Sequence, residues 1–138
     1  MGRIRIMELD HIVLNVGDID RSVKFYTEVL NLKPERLEEF REGKVGFPSV
    51  RINADTIIDL FPRRGVPTVS NSTDQTTVNL NHFCMVVGKE DFSGVVDYLK
   101  ENGIEILRGP VSRWGARGRA TSVYFLDPDS NEIEIRSY

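Results

Sequence analysis

Leu9-Asp10-His11-Ile12-Val13-Leu14-Asn15-Val16 and Leu80-Asn81-His82-Phe83-Cys84-Met85-Val86-Val87 are two versions of one segment, and they hold the only two histidines of the chain. The correspondence continues at the same spacing of 71 positions, setting Val16-Gly17 against Val87-Gly88, Asp20 against Asp91 and Ser22 against Ser93. A second correspondence, 75 positions apart, sets Ile58-Asp59-Leu60 against Ile133-Glu134-Ile135. Each half therefore opens on a histidine and closes on a carboxylate between aliphatic neighbours, as expected of an internally duplicated unit.

Side chains alternate along a strand, so His11, Val13 and Asn15 share one face of the first segment while Ile12, Leu14 and Val16 share the other. Asp18 and Asp20 then offer helix caps, and Val23, Tyr26, Val29 and Leu30 recur at helical spacing. This predicts a helix of about ten to twelve residues, with Phe25 and Tyr26 in the core and an end near Asn31 and Pro34. Residues 35–61 read as strands broken by turns at Glu42-Gly43-Lys44 and Asn53-Ala54-Asp55. The second half repeats the order: a strand at 80–87, a helix from Asp91 to Asn102 stopped by Gly103, and strands at 104–108, 120–126 and 131–137. Asp127-Pro128-Asp129-Ser130-Asn131 has the composition of a tight turn between the last two strands. The expected fold is α+β: one domain, 1–138, of two tandem β-α-β-β-β modules at about 7–62 and 78–138. The connector between them, 63–77, is rich in Pro, Ser, Thr, Asn and Arg and is expected to be mobile.

Composition narrows the function. With 138 residues, 40% hydrophobic and 28% charged, the chain has the makeup of an ordinary globular domain. Its net charge of −3 gives no electrostatic basis for binding nucleic acid, which draws on a clear excess of Lys and Arg. Apolar runs are strand-sized, well short of the ~18–20 residues that span a bilayer. The Met-Gly-Arg-Ile-Arg start has no apolar signal core, so no membrane partner and a cytoplasmic location are expected. One cysteine, Cys84, cannot form an internal disulfide and is expected to be a small core residue.

If the first and last strands of each module are neighbours, His11 lies near Asp59 and His82 near Glu134. Two imidazoles with one or two carboxylates suit Fe, Mn, Ni, Co or Zn as a single divalent ion, with positions left for substrate oxygens. A histidine on a half-buried strand is commonly no more than a hydrogen-bonded packing residue. Against that stands the placement of the only two histidines at the same point of a repeat, each matched with an acid that is costly to bury unpaired. Glu132 competes with Glu134, because residues two apart point the same way; the repeat selects Glu134. Asp59, one methylene shorter than Glu, can serve as a base through water or simply as a hydrogen-bond acceptor. Arg108, Arg113, Arg117 and Arg119, with Trp114 and the glycines 109, 115 and 118, read as a loop able to close as a lid over an anionic substrate, or else as a solvated basic loop. Ser122 and Tyr124 share a face and can donate hydrogen bonds to an oxyanion; Tyr124 can equally be a packing residue.

Three stretches, 9–30, 81–87 and Ser-Val-Tyr-Phe-Leu-Asp-Pro-Asp-Ser-Asn-Glu-Ile-Glu-Ile at 122–135, together resemble the vicinal oxygen chelate superfamily of glyoxalase I, fosfomycin-resistance transferases, extradiol dioxygenases and bleomycin-binding proteins. The resemblance implies paired βαβββ modules forming a cupped, mostly antiparallel sheet around a divalent metal, with ligand positions held here by His11, Asp59, His82 and Glu134. It implies a metal-dependent lyase, isomerase or transferase acting on a small oxygenated, anionic molecule, with Glu134 and Asp59 moving protons. Asn15, Ser122, Tyr124, Trp114, Arg117 and Arg119 are then substrate-binding candidates, and a homodimer is the expected assembly. A metal-free drug-binding protein of the bleomycin-resistance type and an extradiol dioxygenase are the alternatives, the latter lacking a further histidine to act as acid and base. Asn15 stands where glyoxalase I has an Arg for glutathione, and Asp59 where it has Glu. Val13 stands where the fosfomycin transferases have Thr.

Overall fold

The computed structural model describes residues 4–63 and 80–138. The chain divides into two compact units, 1–68 and 69–138, with the division inside the segment read from the sequence as a connector. Residues 64–79, nearly all of that connector, lie outside the described residues. No described helix is long and apolar enough to cross a membrane.

The first unit opens with strand β1, His11–Val16, whose burial alternates until Leu14 and Val16 are fully inside. Asp18 caps the following helix α1, Ile19–Lys24, by accepting a hydrogen bond from the Arg21 amide at 3.0 Å. Its continuation, Phe25–Val29, is a π-helical turn that buries Phe25 and Tyr26 as expected. Strand β2 (Lys33–Glu35), helix α2 (Leu37–Arg41), strand β3 (Ser49–Arg51) and strand β4 (Ile57–Pro62) complete the unit. The sheet order is β1-β4-β3-β2, with β1 parallel to β4 and the other pairs antiparallel. Helix α2 falls where only strands and turns were expected. Leu37-Glu38-Glu39-Phe40-Arg41 is made of helix formers, and Arg41 pairs back to Glu38 at 3.1 Å. The Asn53 turn forms as read, its side-chain oxygen accepting from the amides of Asp55 and Thr56, both at 2.9 Å.

The second unit runs β5 (Phe83–Val86), α3 (Lys89–Phe92), α4 (Val95–Glu101), β6 (Arg108–Gly115), β7 (Gly118–Leu126) and β8 (Glu132–Ser137), in sheet order β5-β8-β7-β6. Parallel pairing of β5 with β8 mirrors β1 with β4. The single helix expected from Asp91 to Asn102 is broken at Ser93-Gly94. Ser93 turns its hydroxyl back onto the Glu90 carbonyl at 2.8 Å, competing with continuation of the helix.

Two further expectations are corrected. Residues 104–107 carry no strand, and the presumed lid loop 108–119 is instead the end-to-end hairpin of β6 and β7. Strand pairing prevails because Arg113, Trp114 and Gly115 each find a cross-strand partner on β7 and because Arg136 ties the hairpin to β8. Its guanidinium donates to the carbonyls of Arg113 at 2.8 Å, Trp114 at 3.0 Å and Gly118 at 3.3 Å.

Gly109 shows how tight this sheet is. Its φ is +105°, and a Cβ there would run into the Ser122 carbonyl oxygen and come within 2.9 Å of the Val123 Cα. Gly109→Ala is expected to lower unfolding free energy by about 2–4 kcal/mol, through left-handed strain together with a backbone clash. Urea unfolding followed by circular dichroism checks it; Gly43→Ala, also at positive φ but in open space, should cost about 1 kcal/mol.

Candidate functional site

Glu134 lies at the centre of β8, with Cys84 of β5 as its Cα partner on one side and Tyr124 of β7 on the other. All of β8 is buried, so this carboxylate must be solvated by the protein itself. Its Oε2 accepts from the Ser122 hydroxyl at 2.5 Å and from Arg136 Nη1 at 3.3 Å, and its Oε1 faces His82 Nε2 at 3.1 Å. Burial pushes the Glu134 carboxyl upward, but hydrogen bonds from Ser122, Tyr124 and Cys84 and the nearby His82 charge outweigh it. The group is therefore held below the ordinary carboxylate value. Glu132, the rival, is taken by Arg108 at 2.8 Å and lies 3.9 Å from His82 Nδ1.

The first unit builds a counterpart. Asp59, also buried, accepts from the Ser49 hydroxyl at 2.6 Å through Oδ1, while its Oδ2 lies 3.9 Å from His11 Nε2. Arg36, whose backbone is left-handed at φ 56°, donates to Ser49 Oγ and comes within 3.6 Å of Asp59 Oδ1. In both units, then, a serine hydroxyl and an arginine occupy one carboxylate oxygen and leave the other turned to the histidine.

The outer nitrogens of the rings repeat too. His11 Nδ1 is 2.6 Å from Asp10 Oδ2, and His82 Nδ1 is 2.7 Å from Asn81 Oδ1. An ionised Asp10 can only accept, so His11 carries its proton on Nδ1; the Asp10 hydrogen bond, aided by the Asp59 charge, raises the His11 pKa against a smaller effect of burial. With Nδ1 engaged, each Nε2 presents either a proton or a lone pair to a carboxylate oxygen. A lone pair facing an oxygen at the His82–Glu134 distance needs a cation between the two. A hydrogen bond from Nδ1 to a neighbouring oxygen is also how metal-binding imidazoles are oriented. The donor chemistry thus fits a divalent ion, although no group of three or more His, Cys, Asp or Glu converges among the described residues.

The profile of the glyoxalase/bleomycin resistance protein/dioxygenase superfamily matches residues 8–135. The chain belongs to that superfamily. A virulence protein of Salmonella typhimurium is 32% identical over 134 residues, covering 96% of this chain and 85% of its own length. A lactoylglutathione lyase of Escherichia coli O157:H7 is 30% identical over 135 residues, covering 94% of this chain and 91% of its own. Among solved structures, a glyoxalase/dioxygenase from Nostoc punctiforme superposes with a TM-score of 0.80 at 27% identity, covering 99% of this chain and 97% of that one. The two four-stranded mixed sheets with few helices are the α+β fold of this superfamily.

The remaining candidates fall in different places. Ser122 and Tyr124 join the Glu134 cluster, but the one hydroxyl proton of Ser122 is already given to Glu134, so this serine acts by fixing the carboxylate. Asn15 is exposed on the His11 face of β1, opposite Phe61. Trp114 and Arg119 are cross-strand partners, and alternation along β7 puts them on the face opposite Ser122 and Tyr124, away from Glu134. Arg117 occupies the hairpin turn and stacks on Tyr138, its guanidinium carbon 4.4 Å from the ring centre. Cys84 is an exposed residue beside Glu134 and not a core position; burial of its sulfur and the carboxylate charge push the thiol up to about 12. Sequence reading passed over Ser49, Arg36 and Arg136. Arg136 had a signal, being two residues from Glu134 on the same strand face, whereas Arg36 had none, since a left-handed backbone aims its side chain.

Because its folded pKa is depressed, Glu134 adds stability above its ordinary value of 4.5, and that stability is lost as pH falls through the lower folded value. Unfolding free energy of chelator-treated protein should therefore decline on acidification below 4.5, with a shallower decline in Glu134→Gln. Urea melts at a series of pH values check this.

Proposed function

We propose that this protein is a divalent-metal-dependent enzyme of the glyoxalase type, a lyase, isomerase or transferase, that acts on a small oxygenated and anionic substrate. His11, His82 and Glu134 are its metal ligands. The observation that carries the reading is the duplicated histidine orientation, Nδ1 to a neighbouring oxygen and Nε2 to a buried carboxylate in both units. Similarity to a lactoylglutathione lyase along nearly the whole chain supports it. When bound, a divalent ion in such a site polarises substrate oxygens and stabilises the charge that develops on them.

The protein's own part is to hold carboxylates ready. Ser122 and Arg136 fix Oε2 of Glu134, so that Oε1 is the atom free to ligate or to take a proton. Asp59 is arranged alike, with Oδ1 held by Ser49 and Oδ2 open beside His11. If Glu134 ligates, Asp59 is the carboxylate left to act as base. Asn15, where glyoxalase I carries an Arg, speaks against glutathione as the required thiol. A small-molecule substrate and a homodimer complete the proposal, both on the strength of family resemblance.

Metal content per chain, measured by mass spectrometry after chelator-free purification, tests the reading. About one ion per chain is expected in the wild type, with a loss of at least about tenfold in His11→Ala, His82→Ala and Glu134→Ala. A wild type that takes up no Mn, Fe, Co, Ni or Zn on reconstitution would overturn it in favour of a binding module. Ser49→Ala should retain metal while lowering kcat, because it frees only Asp59; unchanged kcat would remove Asp59 from the chemistry.

A further inference from the structure

The opposite face of the second sheet carries a separate feature. Between α3 and the sheet edge formed by the start of β7 and the end of β8 lies a cavity of about 480 Å³, open to solvent on one side. Its floor is the cross-strand pair Thr121 and Ser137, two hydroxyls set side by side. Strand alternation puts this pair on the face away from Glu134, so the cavity is distinct from the carboxylate site.

Its charge is one-sided. Lys89 comes from α3 and Arg119 from β7, and no Asp or Glu side chain lines the cavity. Among the described residues neither cation has an ion-pair partner. Arg119 is also held in place: its Nη1 donates to Ser112 Oγ at 3.2 Å, and its guanidinium carbon sits 4.8 Å from the centre of the Trp114 ring. A guanidinium restrained in this way, with most of its N–H groups uncommitted, loses little freedom on meeting an oxyanion. The buried Ser137 hydroxyl has only a limiting contact, 3.5 Å to the Tyr138 carbonyl, and so keeps its proton available. Ser93 lines the cavity with a hydroxyl whose proton is already given to the Glu90 carbonyl, and Phe92 supplies apolar wall.

We propose that this cavity binds a small phosphate monoester, the phosphate between Lys89 and Arg119 over the Thr121 and Ser137 hydroxyls and the organic part against Phe92. Two cations match the dianion, the hydroxyls donate to its remaining oxygens, and the volume is that of a small-molecule site. The inference does not depend on the metal reading.

Amide chemical-shift titrations of the metal-free protein test it, with inorganic phosphate and phenyl phosphate as probes and sodium chloride at matched ionic strength as reference. Saturable shifts are expected at Lys89, Thr121, Ser137 and Tyr138, with phenyl phosphate the tighter probe. Arg119→Gln and Lys89→Gln should each weaken binding about tenfold, the loss of one charge-assisted contact. Lys100→Gln, at an exposed position outside the cavity, should not change it. The same spectra report whether each variant is folded. Shifts no different from those with chloride, shifts confined to the His11 or His82 neighbourhoods, or binding unchanged in both cavity variants would overturn the proposal. Equal affinity for the two probes would overturn the ester assignment.

Discussion

Strand β8 is buried along its whole length, yet Glu132, Glu134 and Arg136 stand in a row on one of its faces. Each of these charges would cost several kcal/mol if left unanswered in the interior. Most of the second unit answers them. Arg108 reaches in from the start of β6 to Glu132, Ser122 and Tyr124 come from β7 to Glu134, and Arg136 spends Nη1 and Nη2 on carbonyls of the hairpin and on Glu134, its buried Nε alone having no partner among the described residues. The charged row thus explains both why β6 and β7 pair so closely and why a carboxylate is held ionised at the centre of a sheet.

The same requirement was met differently in the first unit. Asp59 is shorter and has no arginine two residues on, so its cation comes from Arg36, on the segment between β2 and α2. Duplication preserved the His-to-carboxylate relation and the serine partner, while the arginine arrived from a different part of the chain. Serine itself is not at the equivalent place: Ser49 is the cross-strand partner of Asp59, whereas the cross-strand partner of Glu134 is Tyr124 and Ser122 is two residues away. What the two units share is the chemistry around the carboxylate.

These particulars show what sequence could carry. The strand-helix order, the Asp18 cap, the Asn53 turn and the pairing of each histidine with its acid were legible because they depend on local propensity, on alternation and on an internal repeat. The hairpin was missed because its glycines, ordinarily marks of a loop, have other reasons here: Gly109 and Gly115 are demanded by close approach and Gly118 by a φ of +100° at the turn. A Cβ on Gly115 would overlap the Arg136 guanidinium. The break between α3 and α4 turned on one serine hydroxyl choosing a carbonyl, and α2 on a segment whose tertiary surroundings sequence does not display. Arg119 and Trp114 were read as facing substrate because a loop imposes no parity; in a strand, parity sends them to the other face.

Cys84 sits directly across from Glu134 with its thiol pushed up to about 12. Only the thiolate reacts readily with peroxides and alkylating agents, and a thiol with that affinity for its proton is almost wholly neutral at physiological pH. Burial of the sulfur, with the neighbouring Glu134 carboxylate adding to it, therefore keeps the only sulfhydryl of the protein chemically quiet, and oxidative inactivation through this residue should be slow.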